Sequence, residues 1–81
     1  MAQQFDRPAV YEIRVAGVLN ESWSEYLSGM AIVNTPAGQQ TALTDSTLTG
    51  RLEDQAALLG VLNTLYDFGY SLLQVHCVGP G

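Results

Sequence analysis

The sequence predicts an α+β domain in which four strands form one antiparallel sheet and two helices share one of its faces. Two observations carry this. Along the chain the hydrophobic period alternates between that of a strand and that of a helix, giving the order β-α-β-β-α-β. The 81 residues make a single domain, since chains divide only when they are several times longer. Together these point to the split β-α-β, ferredoxin-like arrangement.

The residues justify each element in turn. Residues 1–10 are polar, include Arg7-Pro8, and read as a flexible arm; the domain proper is expected over 11–78, with 79–81 as a tail. Tyr11, Ile13 and Val15 alternate with Glu12, Arg14 and Ala16, the period of a half-buried strand. Asn20 to Gly29 reads as a short helix: Ser22 and Glu25 fit a capping box, with Asn20 a competing cap, and Trp23, Tyr26 and Leu27 share a face. Two turns cannot stand alone in water, so Trp23 must pack on something. Met30 to Thr35 is a second strand, and Pro36-Ala37-Gly38 is a turn. Gln40 to Thr49 is β-branched and polar and forms a third strand, where Asp45-Ser46 suggests a bulge or an early exit from the ladder. Leu52 to Phe68 is a helix with an apolar stripe of Leu58, Leu59, Leu62, Leu65 and Tyr66. Asp54 or Glu53 suits its positive N-terminal end, Gly60 hints at a close packing contact, and Gly69 stops it. In the last strand, Tyr70 to Val78, alternation sets Leu73, Val75 and Cys77 on the core side, with Leu72, Gln74 and His76 on the other.

Composition bounds function. Hydrophobic residues make up 47% of the chain and charged ones only 14%, against roughly 25% in ordinary domains. There is no lysine; Arg7, Arg14 and Arg51 are scattered, and the net charge is −5. Nucleic-acid binding needs clustered cations to displace phosphate counterions, so it is not expected. An anionic membrane surface is disfavoured for the same reason, and no apolar run approaches the roughly 18 residues of a membrane span. Cys77 is the lone cysteine. An intrachain disulfide and a thiolate zinc site are therefore ruled out, and the cytoplasm is the expected compartment. The glycines spell no phosphate-binding loop, so no nucleotide cofactor is expected, and no metal.

Several of these residues resemble a family of short uncharacterised bacterial proteins. The resemblance rests on Tyr11-Glu12-Ile13-Arg14-Val15 with Gly17, Leu19, Trp23 and Gly29. It continues through Leu48-Thr49-Gly50, Asp54-Gln55-Ala56-Ala57-Leu58, Gly60, Leu62, Gly69, Leu72-Leu73 and Val75, so it spans Tyr11 to Val78. It implies the element order and a bacterial cytosolic setting, and brings no biochemical function. It also implies that relatives carry a histidine where this chain has Leu59, so any site built on that histidine is absent here.

Two function classes follow. The first is a non-enzymatic interaction module that forms a homo-oligomer, or binds another protein, through its sheet face or an edge strand. Low charge and surplus apolar residues favour it, with Leu19, Trp23, Tyr26 and Val33 as candidate interface residues. The second is a small-ligand-binding regulatory domain. In the expected topology the last strand lies beside the first, so Glu12, Arg14, Gln74 and His76 share the helix-free face and can bind a small anion or position a proton. The plainer reading of those four is a solvated outer face with ordinary cross-strand pairs. An enzyme at an oligomer interface is a third reading, and it needs the patch enclosed. Cys77 and His76 are neighbours on opposite faces, which argues against a catalytic pair. Glu53, Asp54, Glu21 and Glu25 lie at helix starts, where capping and the helix dipole explain them.

Overall fold

A computed structural model describes residues 7–36 and 44–80. Four strands, β1 (Ala9–Ala16), β2 (Ala31–Pro36), β3 (Thr44–Leu52) and β4 (Ser71–Pro80), form one sheet in the order β2-β3-β1-β4. Every neighbouring pair is antiparallel. A 3₁₀ helix (Glu21–Leu27) joins β1 to β2, and helix α1 (Gln55–Asp67) joins β3 to β4. The chain is therefore α+β, with a four-stranded antiparallel sheet and two helices. In each β-helix-β unit a third strand lies between the two that the helix connects.

The register fixes which residues share a face, because directly opposed residues in an antiparallel pair point the same way. One row runs Ile32–Leu48–Ile13–Val75 and the next Asn34–Ser46–Val15–Leu72. Their central members, Leu48, Ile13, Ser46 and Val15, are fully buried, so this is the core face. Leu19, Leu27 and Met30 from the β1–β2 connection, Leu52 of β3, and Val61 and Leu65 of α1 complete the core. The opposite face carries Val33–Thr47–Arg14–Gln74 and Ala31–Thr49–Glu12–His76.

Several local expectations change. β1 starts at Ala9, inside the segment that the sequence assigns to an arm, and β4 runs on to Pro80, with the two ends opposed. The first helix is a 3₁₀ segment: Asn20 accepts from the Ser22 amide as its cap, and Ser28 (φ 58°) and Gly29 (φ 73°) end it in left-handed conformations. Asp45 and Ser46 lie in a regular ladder and form no bulge. Ser46 is instead a buried anchor, whose Oγ accepts from the Leu19 amide (2.9 Å) and donates to the Gly17 carbonyl (2.6 Å). Asn34 joins it, also accepting from the Leu19 amide (3.1 Å) and donating to the Leu19 carbonyl (3.0 Å). Buried Ser46 and the more exposed Asn34 thus tie the β1 exit to β2 and β3. The Pro36-Ala37-Gly38 turn lies largely outside the described residues, as do residues 40–43 of the expected third strand.

Helix α1 begins three residues later than the sequence suggests, because β3 continues to Leu52 and Asp54 caps the helix by accepting from the Ala57 amide (2.8 Å). Its buried residues are Val61 and Leu65, with Leu58 and Leu62 half-buried, whereas Leu59 and Tyr66 of the expected stripe are exposed. Gly60 faces open space, so no close contact explains it.

Candidate functional site: the uncovered β4 edge

Among the described residues β4 has a strand neighbour on one side alone, and α1 does not roof it. Leu72 retains 51% of its surface, Leu73 48%, Val75 38% and Val78 57%. Cys77, expected in the core, is exposed. It lies opposite Tyr11 and so belongs to the core face, but the helices leave that part of the face bare. Pairing with β1 shifts register between Val10 and Tyr11 and again between Arg14 and Val15. The second shift places Leu72 opposite Val15, on the core face, where strict alternation sets it on the other. Between the two shifts, Gln74 to Cys77 runs in an undisturbed ladder.

A groove of about 380 Å³ lies between α1 and β4, lined by Leu62, Leu65, Tyr66, Tyr70, Ser71 and Leu72. Its back wall is fixed. Tyr70 donates to the Val18 carbonyl (2.5 Å), and Trp23 packs edge-on against Phe68 (4.8 Å, 61°) and Tyr70 (6.2 Å, 76°). Gly17, at φ 108°, makes room for that tyrosine: a Cβ there would lie 3.2 Å from Tyr70 Cε1. On the open flank of the groove, Leu59, Leu62 and Tyr66 follow each other at helical spacing. The groove wall adjoins the exposed core-face residues Leu72 and Val75 of β4.

Natural edge strands are blunted by short length, charge or proline. The far edge, β2, is six residues long and ends on Pro36. β4 is ten residues long, has no Asp, Glu, Lys or Arg, and meets a proline only at its last position. Its core face carries Leu72, Val75 and Cys77, which the helices leave exposed, while Gln74 and His76 stand on the other face.

The four polar residues that the sequence groups are brought together in two rows, with Glu12 opposite His76 and Arg14 opposite Gln74. Arg14, Gln74 and His76 are exposed and Glu12 is half-buried. Arg14 Nε stands 3.9 Å from the Asp45 carboxylate, so its charge is partly directed along the sheet. The groove lies on the opposite face and does not enclose them. Among the described residues no three His, Cys, Asp or Glu side chains gather as a metal site, and no helix is long and apolar enough to cross a membrane. Of the expected interface residues, Leu19 is fully buried and Trp23 is half-buried against the aromatic cluster, while Tyr26 and Val33 are exposed. The residues that the sequence reading passes over are Leu72, Leu73, Val75 and Val78. Their signal was a ten-residue run with no charged residue to blunt it as an edge.

Fold and surface together define a small α+β domain with one uncovered apolar edge. The chain belongs to a family defined by a domain of unknown function (DUF8691), whose model matches residues 10–76. No curated protein and no solved structure matches it.

Proposed function

We propose that the protein is a non-enzymatic interaction module that assembles into a homo-oligomer through β4 and the adjoining flank of α1. The exposure of Leu72, Leu73, Val75 and Val78 along an uncharged edge carries this reading. Fully burying an aliphatic side chain contributes about 1.5–3 kcal/mol. These four are roughly half covered, so closing the rest contributes about 1 kcal/mol each. Counted on two copies, with Leu59 and Tyr66 added, the total exceeds about 10 kcal/mol. That is the same size as the association cost of about 4–15 kcal/mol, before any backbone hydrogen bond across the edge is included.

The setting is bacterial and cytoplasmic, supported by the family resemblance and by a free, exposed Cys77, which suits a reducing compartment. The interleaving of each β-helix-β unit by a third strand supports a ferredoxin-like architecture whose first helix is reduced to a 3₁₀ segment. Light scattering on a sizing column at two concentrations tests the assembly. The expected result is a dimer or larger species. A mass near 8.7 kDa at both concentrations removes the reading.

The rows of Glu12 with His76 and Arg14 with Gln74 favour a second reading, small-anion binding in a regulatory domain. Thermal stabilisation by inorganic phosphate that is lost in His76→Ala would support it. No shift on adding phosphate counts against it.

A further inference from the structure

The occupant of the β4 edge follows from its own pattern. We propose that a second copy of this chain adds its β4 antiparallel to the first about a two-fold axis through Val75, making one eight-stranded sheet. This rests on the oligomeric reading above and specifies its geometry.

Three observations select the occupant and the register. First, the undisturbed ladder from Gln74 to Cys77 is the stretch able to pair without a bulge, and Val75 lies within it near the middle of β4. Second, opposed residues must share a face. A two-fold at Val75 sets Val75 against the partner's Val75 and Gln74 against the partner's His76. On the helix-free face the row Arg14–Gln74 then continues into the partner's His76 and the partner's Glu12, so polar side chains meet polar ones across the junction and no like charges are opposed. The same row recurs in reverse on the other side of the axis. Moving the axis to His76 would instead set two imidazoles against each other. Third, β4 has no carboxylate, so two chains of net charge −5 can meet there without opposing like charges across the junction.

The helices also fit. Each α1 spans from the end of β3 to the start of β4, over the face that carries Val75 and Leu72. Leu59 and Tyr66, exposed on the flank of α1, lie on the side of the helix that adjoins the groove beside β4. A standard interface takes about 800 Å² from each partner, roughly one-seventh of this chain's 5412 Å² surface. A ten-residue open strand with its helix flank is a comparable share of the molecule.

Cross-linking reads the register directly. In a Cys77→Ser background, Val75→Cys places two thiols directly opposite across the axis, within the roughly 4.4–6.8 Å Cα separation that a disulfide spans. Leu73→Cys in the same background places them four residues apart along the strands, about 13 Å. Mild oxidation should convert most of the Val75→Cys protein to a covalent dimer on a non-reducing gel and leave Leu73→Cys monomeric. Circular dichroism checks that both variants fold. A protein that is dimeric by light scattering but does not cross-link at position 75, or links equally at 73, overturns this register while leaving the oligomeric reading intact. A monomer at every concentration overturns both.

Discussion

Replacing Ser46 by alanine tests whether the small core depends on the polar anchor within it. Ser46 is fully buried, and its hydroxyl serves the β1 exit twice. It accepts from the Leu19 amide at 2.9 Å and donates to the Gly17 carbonyl at 2.6 Å. After Ser46→Ala the Leu19 amide keeps Asn34 Oδ1 at 3.1 Å, but the Gly17 carbonyl loses this donor. A buried polar group left without its partner costs about 1–3 kcal/mol. For a domain of this size, each kcal/mol lowers Tm by roughly 4–8 °C. The expected fall is therefore about 5–20 °C, with a matching drop in the urea midpoint and an unchanged m-value. Because Asn34 shares the Leu19 amide with Ser46, Asn34→Ala should not add independently. A double-mutant cycle should show coupling of about 0.5–3 kcal/mol. A Ser46→Ala protein within about 0.5 kcal/mol of the wild type would refute the anchor.

Three further substitutions probe local structure, each read by urea unfolding at one fixed protein concentration, since assembly makes apparent stability concentration-dependent. Gly60→Ala should stabilise by about 0.5–1 kcal/mol, because position 60 is a helix interior with nothing within 4 Å of an added Cβ; a loss would mean that something packs there. Asp54→Ala removes the cap that accepts from the Ala57 amide and should cost about 0.5–2 kcal/mol; no loss would show the cap to be idle. Gly17→Ala forces a side chain into φ 108° and within 3.2 Å of Tyr70, and should cost at least about 1–3 kcal/mol. An unaffected Gly17→Ala would mean that the tyrosine wall of the groove moves freely.

The element order was legible because each strand and the long helix has its own period, and because Gly69 and Asp54 stand at the helix ends where capping needs them. The juxtaposition of Glu12 with His76 was legible too, since it needs only β4 beside β1 with that register. The first helix was misread as α because capping residues mark where a helix starts but do not choose its pitch. A seven-residue segment takes its pitch from packing, here from Trp23 against Phe68 and Tyr70 and from the buried Leu27. The stripe on α1 was drawn through Leu59 and Tyr66 because the helix is apolar on more than one side. Burial of Val61 and Leu65 shows which side the sheet claims. The site itself was half legible. Strict alternation assumed that β4 buries one face, and so placed Cys77 in the core. The register shift beside Val15 and the lack of a roof over the strand leave it open on both sides. Topology makes β4 an edge while its composition lacks the charge that blunts one. That conflict between two levels of the sequence is where function is expected.

Sedimentation equilibrium of the wild type beside Leu73→Glu and Val33→Glu tests the central claim most directly. Leu73 and Val33 are both exposed, but they lie on opposite edge strands. The expected wild-type mass is about twice 8.7 kDa, retained by Val33→Glu and reduced to the monomer mass by Leu73→Glu. A wild-type monomer, or a dimer broken by Val33→Glu and indifferent to Leu73→Glu, would contradict it.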